Sequence, residues 1–396
     1  MDLAFFRDLR VLELGVWMAA PSTAALLADL GADVVKVEGP AGDPARAFFA
    51  ATGTDAPVQP TFALDNRGKR SLVIDLADPS GRGRFEELLG EADVLVVNLR
   101  QAALRKLGLT AEELCPRFPR LVYGSLTAHG LDGPDADEPG YDVGAFWARS
   151  GLSHQLAGGS PLHAPGAYGD HVTGLALFSA VLAALLERER TGRGGLVETS
   201  LLQTATWIAG PDLAVQATLG KVHPVADRRS AVMPLVNSYR TADDRWFFLT
   251  CVEGARHLPA VCTAIGRPWL AADERFASPG AMRRHRRELI ALLDEAFAGD
   301  TLDRWAERFA AAGVWWQVVA RPAEVLADPQ VAANGWARPV EVGPGVVVDM
   351  LTAPMRVLGC VPEGVAGAPA LGSVAPDGGW LRPSEEDQPT SRPSRP

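Results

Sequence analysis

A chain of 396 residues with 47% apolar side chains is long enough for two domains, or for one large domain with an insertion, and can bury a sizeable core. A formal net charge of −10 with no long basic run argues against a nucleic-acid groove or an anionic membrane surface as partner, while leaving room for an anionic small ligand held by a few arginines. Four cysteines (Cys115, Cys251, Cys262 and Cys360) stand singly, so zinc and redox motifs gain no support and thiols in a reducing cytoplasm are expected.

The opening stretch MDLAFFRDLRVLELG is too short and too charged for a signal peptide. The longest apolar runs are interrupted before membrane-spanning length, so a soluble cytoplasmic protein is expected. RVLEL (Arg10–Leu14) predicts a strand, and PSTAALLADLGA a helix with Pro21 in its first turn and Gly31 at its end. DVVKVE (Asp33–Glu38), SLVIDL (Ser71–Leu76), DVLVVN (Asp93–Asn98) and RLVYGSLT (Arg120–Thr127) predict further strands, with PSGRGRFEELLGEA a helix between two of them. Short apolar strands alternating with amphipathic helices imply βαβ units and a buried parallel sheet, an α/β fold.

Beyond Leu201 the pattern changes. NSYRTADDRWFFLTC (Asn237–Cys251) predicts two short strands around a polar turn, followed by helices in AMRRHRRELIALLDEAFAG and TLDRWAERFAAAG and a strand in GVWWQVVA (Gly313–Ala320). The expected organisation is a large domain over 1–220, completed by 331–380 with a return strand in GVVVDML (Gly345–Leu351), and a small α+β domain over 226–330. A Ser/Pro/charged tail over 383–396 reads as disordered.

Ligands of such a sheet meet the carboxyl ends of its strands. The first strand is followed by GVWMAAP, which is not GxGxxG, so no NAD site is expected; small Ala19 and Ala20 would still let a pyrophosphate or a pantetheine approach the backbone. Arg67, Lys69 and Arg70 precede a strand, where they form either a solvated face or a phosphate contact. Asn98 ends a strand, and Arg100, Arg105 and Lys106 follow on a helix, again as a solvated face or as phosphate ligands.

AYGDHVTGLALFSAVLAALLERERTGRGG (Ala167–Gly195) carries the sharpest question. Leu175, Leu177, Phe178, Val181, Leu182, Leu185 and Leu186 predict a helix buried on most sides, with Asp170 at its start. Aspartate is a preferred N-cap, worth ~1 kcal/mol. A helix N-terminus also favours negative charge, so the carboxylate is expected to stay ionised and able to attack an acyl group, with Gly169 leaving room for the approach. Nearby backbone N–H groups would serve the oxyanion.

Several stretches together resemble the family III CoA-transferases, which include the 2-methylacyl-CoA racemases: LLADLGADVVKVEGPAGDPAR, NRGKRSLVIDL, ADVLVVNLRQAALRKLGL, PRLVYGSLTAHGLDGPDADEPGYD, GDHVTG and LLERERTGRGGLVETSLLQTA in order, then PLVNSYRTADDRWFFLTC and VLADPQVAANG. The resemblance implies a Rossmann-like large domain, a smaller domain and two chains interlocked as a homodimer. It implies coenzyme A thioesters and carboxylic acids as substrates, with no metal, and Asp170 as the nucleophile that passes through anhydride and aspartyl-CoA intermediates. Val16, Trp17 and Ala19 match the family loop along pantetheine and adenine, and Ile74, Asn98, Leu99 and Lys106 match positions around the nucleotide. Charge and loop position add Arg46 and Arg100 as phosphate contacts, whereas the family arginine after the second strand is Gly39 here.

Racemases need a histidine where this chain has Tyr141, in GYD, and tyrosine is a poor base at neutral pH, so transfer is favoured over racemisation. The formate and oxalate members carry a glycine run that SAVMPLVNSYR lacks. Trp17, Met18 and Phe48 are either core or the lining of a larger apolar acyl pocket. A third reading, a catalytically silent CoA-binding protein, sits badly with an intact GDHVTG. His129, His154 and His163 read as loop or surface residues.

Overall fold

The computed structural model describes residues 5–54, 56, 58–157, 160–162, 164–221, 227–357 and 366–381; Cys360, His163 and the 383–396 tail lie outside them. The chain divides into two compact units. The first takes the chain up to His154, Leu162–Gly220 and Pro329 onward; the second takes Gln155–Pro161 and Lys221–Asp328.

In the first unit the elements run β1 (Arg10–Leu14), α1 (Ala19–Asp29), β2 (Asp33–Glu38), α2 (Phe48–Ala51), α3 (Pro60–Asp65), β3 (Arg70–Val73), α4 (Pro79–Glu91), β4 (Val94–Val97), α5 (Gln101–Leu107), α6 (Ala111–Arg117) and β5 (Val122–Thr127). A π-helical segment (Asp142–Ala148) and α7 (Leu152–Gln155) lead to α8 (Tyr168–Thr191), β6 (Gly195–Ser200), α9 (Leu201–Ile208) and α10 (Gly210–Leu219). The six strands form one sheet in the order β3-β2-β1-β4-β5-β6, every neighbouring pair parallel. Chain order reverses between β1 and β4, and the crevice outside the strand ends at such a point is where doubly wound sheets take ligands. One face of the sheet packs on α1 and α8 through Val11, Val34, Val96, Leu177, Phe178 and Val181; the other packs on α4–α6 through Leu12, Val35, Leu95, Phe85 and Leu104.

The strand predicted at Gly345–Leu351 does not return to this sheet. It pairs antiparallel with Ala337–Gly343 as a separate hairpin. The second unit holds a three-stranded antiparallel sheet of Val236–Arg240, Trp246–Thr250 and Trp316–Val318. Its core is aromatic, built on Tyr239, Phe247, Phe297, Trp305 and Phe309.

One expectation for α8 needs correction. The helix is 24 residues long and, by length and composition, apolar enough to cross a membrane, although Asp170 and Glu187 bound its uncharged run. It is not buried on most sides: Leu177, Phe178 and Val181 face the sheet, while Val172, Leu175 and Leu186 are exposed.

Beneath the β1 and β2 strand ends lies a dry ionic network. Glu13 and Lys36 face each other in register on adjacent strands. Lys36 Nζ meets Glu13 Oε1 at 2.7 Å, the Gly15 carbonyl at 2.8 Å and Asp43 Oδ2 at 2.9 Å. Lys69 Nζ meets Glu13 Oε2 at 2.6 Å, the Pro21 carbonyl at 2.9 Å and Asn66 Oδ1 at 3.0 Å. The side chains of Glu13, Lys36, Asp43 and Lys69 are all 0% exposed. Burial alone would raise the Glu13 pKa, but the two lysines overcome it and hold the carboxyl below its ordinary range. Burial dominates at Lys69, whose pKa falls to about 8.

Removing one partner from a buried charge set is costly because the others stay in place unpaired. Glu13→Gln leaves two buried lysines facing one carboxylate. It is expected to lower stability by ~3–5 kcal/mol, read as a lower urea midpoint at unchanged slope. An unchanged midpoint would show that the network is not holding the strand ends.

Candidate active site

Two loops meet at the β1/β4 crevice. Asn98, just past β4, donates from Nδ2 to the Val16 carbonyl at 2.8 Å and accepts the Val16 N–H at 2.9 Å. Asp43 Oδ1 accepts the N–H groups of Trp17 at 3.1 Å and Ala45 at 2.9 Å. So clamped, Trp17 keeps a φ of +65°, a left-handed conformation that an L side chain holds only when its surroundings impose it. Its ring packs edge-on against Phe48 and Tyr141, centroids 6.1 Å away in each case. Val16, Trp17 and Met18 are half-buried, Ala19 is buried, and Tyr141 is 65% exposed.

Helix α8 begins with a second strained residue. Its N-cap is Ala167, at φ +73°, and no side chain caps it. Asp170 is therefore not the cap; it is the third residue of the first turn. Nor does its position keep it ionised in the ordinary range. Burial, then the charges of Asp142 and Asp65, push its pKa up to about 7 against the opposing influence of His171. Favourable helix-terminus electrostatics amount to only ~1 kcal/mol or less on an accessible surface, too little to offset desolvation beside two carboxylates. No described group donates a hydrogen bond to the Asp170 side chain, so its oxygens are not already occupied.

The surroundings of α8 explain its glycines. A Cβ on Gly169 would collide with Asp142 Oδ1 and the Phe146 ring, and one on Gly174 with Ser22 Oγ and the Ala19 carbonyl. Thr23 Oγ1 donates to the Gly174 carbonyl at 2.9 Å. Helix α8 thus lies directly on the first turn of α1, one helical turn beyond Asp170. Asp142 is 5% exposed. Its carboxylate faces the N–H groups of Ala167 and Gly169 and the Trp147 indole without closing a well-formed hydrogen bond, and burial raises its pKa.

Several expected phosphate contacts are engaged elsewhere. Arg67 pairs with buried Asp29, Lys69 with Glu13 and Arg70 with Asp33. Arg46 binds Glu38 through Nε at 2.8 Å and Nη2 at 2.6 Å, donates to the Pro369 carbonyl and lies over the Phe62 ring. These four are structural cations, drawn in because the strand-end carboxylates are too buried to be left unpaired. Ile74, 5% exposed, sits in the core rather than on a ligand surface, and half-buried Leu99 packs on the same cluster. Arg105 pairs with Asp137. Arg100 and Lys106, at the two ends of α5, are exposed and have no partner among the described residues.

Sequence reasoning passed over the pair that His171 makes with Asp65, 2.9 Å from Nε2 to Oδ1. No motif spacing links positions that far apart. Asp142 stood inside the quoted GYD and was likewise passed over, because only packing reveals its place above Gly169.

The sequence pattern of CoA-transferase family III matches residues 6–374. The (R)-2-hydroxy-4-methylpentanoate CoA-transferase of Clostridioides difficile is 32% identical over 330 residues, 82% of either chain. The cinnamoyl-CoA:phenyllactate CoA-transferase of Clostridium sporogenes is 33% identical over 343 residues, 84% of this chain and 82% of that one. Among solved structures, a CAIB/BAIF family protein from Brucella suis superimposes with a TM-score of 0.81 at 30% identity, covering 92% of this chain and 96% of its own. Rv3272 of Mycobacterium tuberculosis gives 0.80 at 29%, covering 93% and 97%.

A raised carboxyl pKa in the folded state makes ionisation of Asp170 cost stability. The cost is absent below the ordinary value of 3.8, accrues as pH rises, and is complete above about 7. Asp170→Asn is therefore expected to melt higher than the parent at pH 8 and level with it near pH 4. A melting-temperature difference that does not change with pH would remove the burial argument.

Proposed function

The chain belongs to CoA-transferase family III, and on that premise we propose that it moves coenzyme A between carboxylic acids with the Asp170 carboxylate as the covalent carrier. The observation that supports this is the carboxylate itself: in the first turn of α8, free of hydrogen bonds from the described residues, and titrating at about 7. A carboxylate that water does not fully solvate is a stronger nucleophile than an exposed one, and at neutral pH about half of it is ionised.

In the proposed reaction an Asp170 oxygen attacks the thioester carbonyl of the donor. The C–S bond breaks, leaving an aspartyl–acyl anhydride and CoA thiolate. The thiolate attacks the aspartyl carbonyl and expels the donor acid as its carboxylate, leaving aspartyl-CoA. The acceptor carboxylate attacks that thioester, again releasing thiolate and forming a second anhydride. Attack of the thiolate on the acceptor's acyl carbon completes the new thioester and frees Asp170. No step requires a proton from the protein, because the leaving groups are thiolate and carboxylate. Backbone N–H groups near the carbonyl would supply the oxyanion contacts.

Pantetheine would run along Val16–Ala19 and over Asn98, with the phosphates toward Arg100 and Lys106, the two cations that have no described partner at the crevice. Gly169 would leave room at the reacting carbon, and Met18, Trp17, Phe48 and Tyr141 would form the acyl wall. That wall suits an acyl group with a bulky apolar side chain, in keeping with relatives named for (R)-2-hydroxy-4-methylpentanoate and for cinnamoyl-CoA and phenyllactate. A homodimer of interlocked chains is part of the same reading. Exposed Trp207 (82%) and Leu186 (69%) are apolar side chains that a second copy would cover.

Three outcomes test it. During turnover with a panel of branched, aromatic and linear acyl-CoA donors, hydroxylamine should convert Asp170 to its hydroxamate, found by peptide mass spectrometry; a panel that supports exchange but never marks Asp170 would overturn the carrier role. The acid limb of kcat/KM should fall about tenfold per pH unit below 7, since only the ionised carboxylate attacks. Lys106→Ala should raise KM for the CoA thioester several-fold with little change in kcat, as expected for a contact made equally before and during reaction.

A further inference from the structure

We propose that His171, held by the buried carboxylate of Asp65, is a positioning residue for the reaction: an imidazole next to Asp170 in the first turn of α8 that sets how readily the neighbouring carboxylate ionises. The inference rests on the reading of Asp170 as the loaded group, and goes beyond it by giving that group a partner.

The geometry is specific. Asp65, the last residue of α3, is 2% exposed. Its Oδ1 lies 2.9 Å from His171 Nε2, and its Oδ2 is buried with no hydrogen-bond partner. The other cations on this stretch face different carboxylates: Arg67 is bound to Asp29, and Lys69 to Glu13. A carboxylate taken out of water needs a compensating charge; His171 lies within ion-pair distance of it, and buried Lys69 acts on it electrostatically from further off. The bond to Asp65 is the main reason the His171 pKa is raised.

Placement argues in the same direction. A cation in the first turn of a helix opposes the macrodipole, so His171 does not serve α8. Its pKa is raised there chiefly by the hydrogen bond to Asp65, which comes from a different element. The groups facing Asp170 are Asp142 from the π-helical segment, Asp65 from α3, and His171 on its own helix; the first two hinder ionisation and His171 favours it. Arg67, close to His171, opposes its protonation. During transfer, negative charge moves from the Asp170 oxygen to the CoA sulfur and back. The imidazole is 42% exposed and bound to Asp65, so it reaches both solvent and that carboxylate.

Carbon-13 NMR of protein labelled at aspartate Cγ reads the effect without any substrate, with Asp170→Asn identifying the resonance. The Asp170 midpoint should stand near 7 in the parent, move up by about one pH unit in His171→Gln, and return toward the parent value in His171→Lys, which restores a cation. Histidine ring spectra should show His171 titrating above the ordinary 6.5 in the parent and falling in Asp65→Asn. An Asp170 midpoint equal in parent and His171→Gln would overturn the proposal. So would a parent His171 midpoint at or below 6.5, which needs no variant at position 171. Full transfer activity in Asp170→Asn would instead overturn the carrier reading, a result separable from either titration.

Discussion

Four side chains with no water around them, Glu13, Lys36, Asp43 and Lys69, fix the geometry on which the site depends. Charges balance within the set, two against two, and this is why it survives burial. The consequence is positional. Lys36 draws in the Gly15 carbonyl, Lys69 draws in the Pro21 carbonyl, and Asp43 receives the Trp17 N–H. Three backbone groups, two in the loop after β1 and one in the first turn of α1, are therefore tied to ions that cannot move without exposing an unpaired charge. The loop after β1 cannot relax to an ordinary conformation, and Trp17 keeps its left-handed backbone.

The same logic extends to α8. Two glycines let it lie on Asp142 at its start and on the first turn of α1 further along. Helix α8 packs closely on α1 at Gly174, and at its start burial first, then the charges of Asp142 and Asp65, raises the Asp170 pKa. Two of the three non-glycine residues with positive φ among the described residues, Trp17 and Ala167, flank this region. Strain gathered at one place in an otherwise relaxed fold is the expected signature of a site whose geometry is imposed by surrounding structure.

How much of this could be read from the sequence depended on whether the signal was local. β1 and β2 were legible to the residue, because each is a short Val- and Leu-rich segment bounded by turns, even though Glu13 and Lys36 interrupt its apolar content. β6, at the sheet edge, went unnoticed: two of its six residues are exposed and its apolar content is diluted. The strand near the C-terminus was found but given the wrong partner, since pairing is a long-range choice. Asp170 stood out through its motif, but its protonation behaviour did not, because Asp142 and Asp65 approach it only after folding. The cluster of Arg67, Lys69 and Arg70 looked like a phosphate contact for the same reason: the acids that engage it, Asp29, Glu13 and Asp33, lie far back in the chain.

That last contrast gives a rule for an acidic chain that must hold a polyanion. With ten net negative charges, most arginines and lysines have a carboxylate within reach, and the more buried the carboxylate, the more firmly it keeps its cation. Arg46 and Arg67 illustrate the firm end, with Glu38 and Asp29 as partners. A cation remains open to a phosphate only where no fold carboxylate can reach it, as at the ends of α5, where Arg100 and Lys106 are exposed beside the strand-order reversal. The nucleophile obeys the complementary rule. The charge that favours its ionisation is the half-exposed imidazole of His171, while Asp142 and Asp65 act against it. A full ion pair would hold Asp170 ionised but blunt its attack, and no cation at all would hold it protonated at neutral pH. A titratable neighbour anchored to a second, buried acid lies between those extremes.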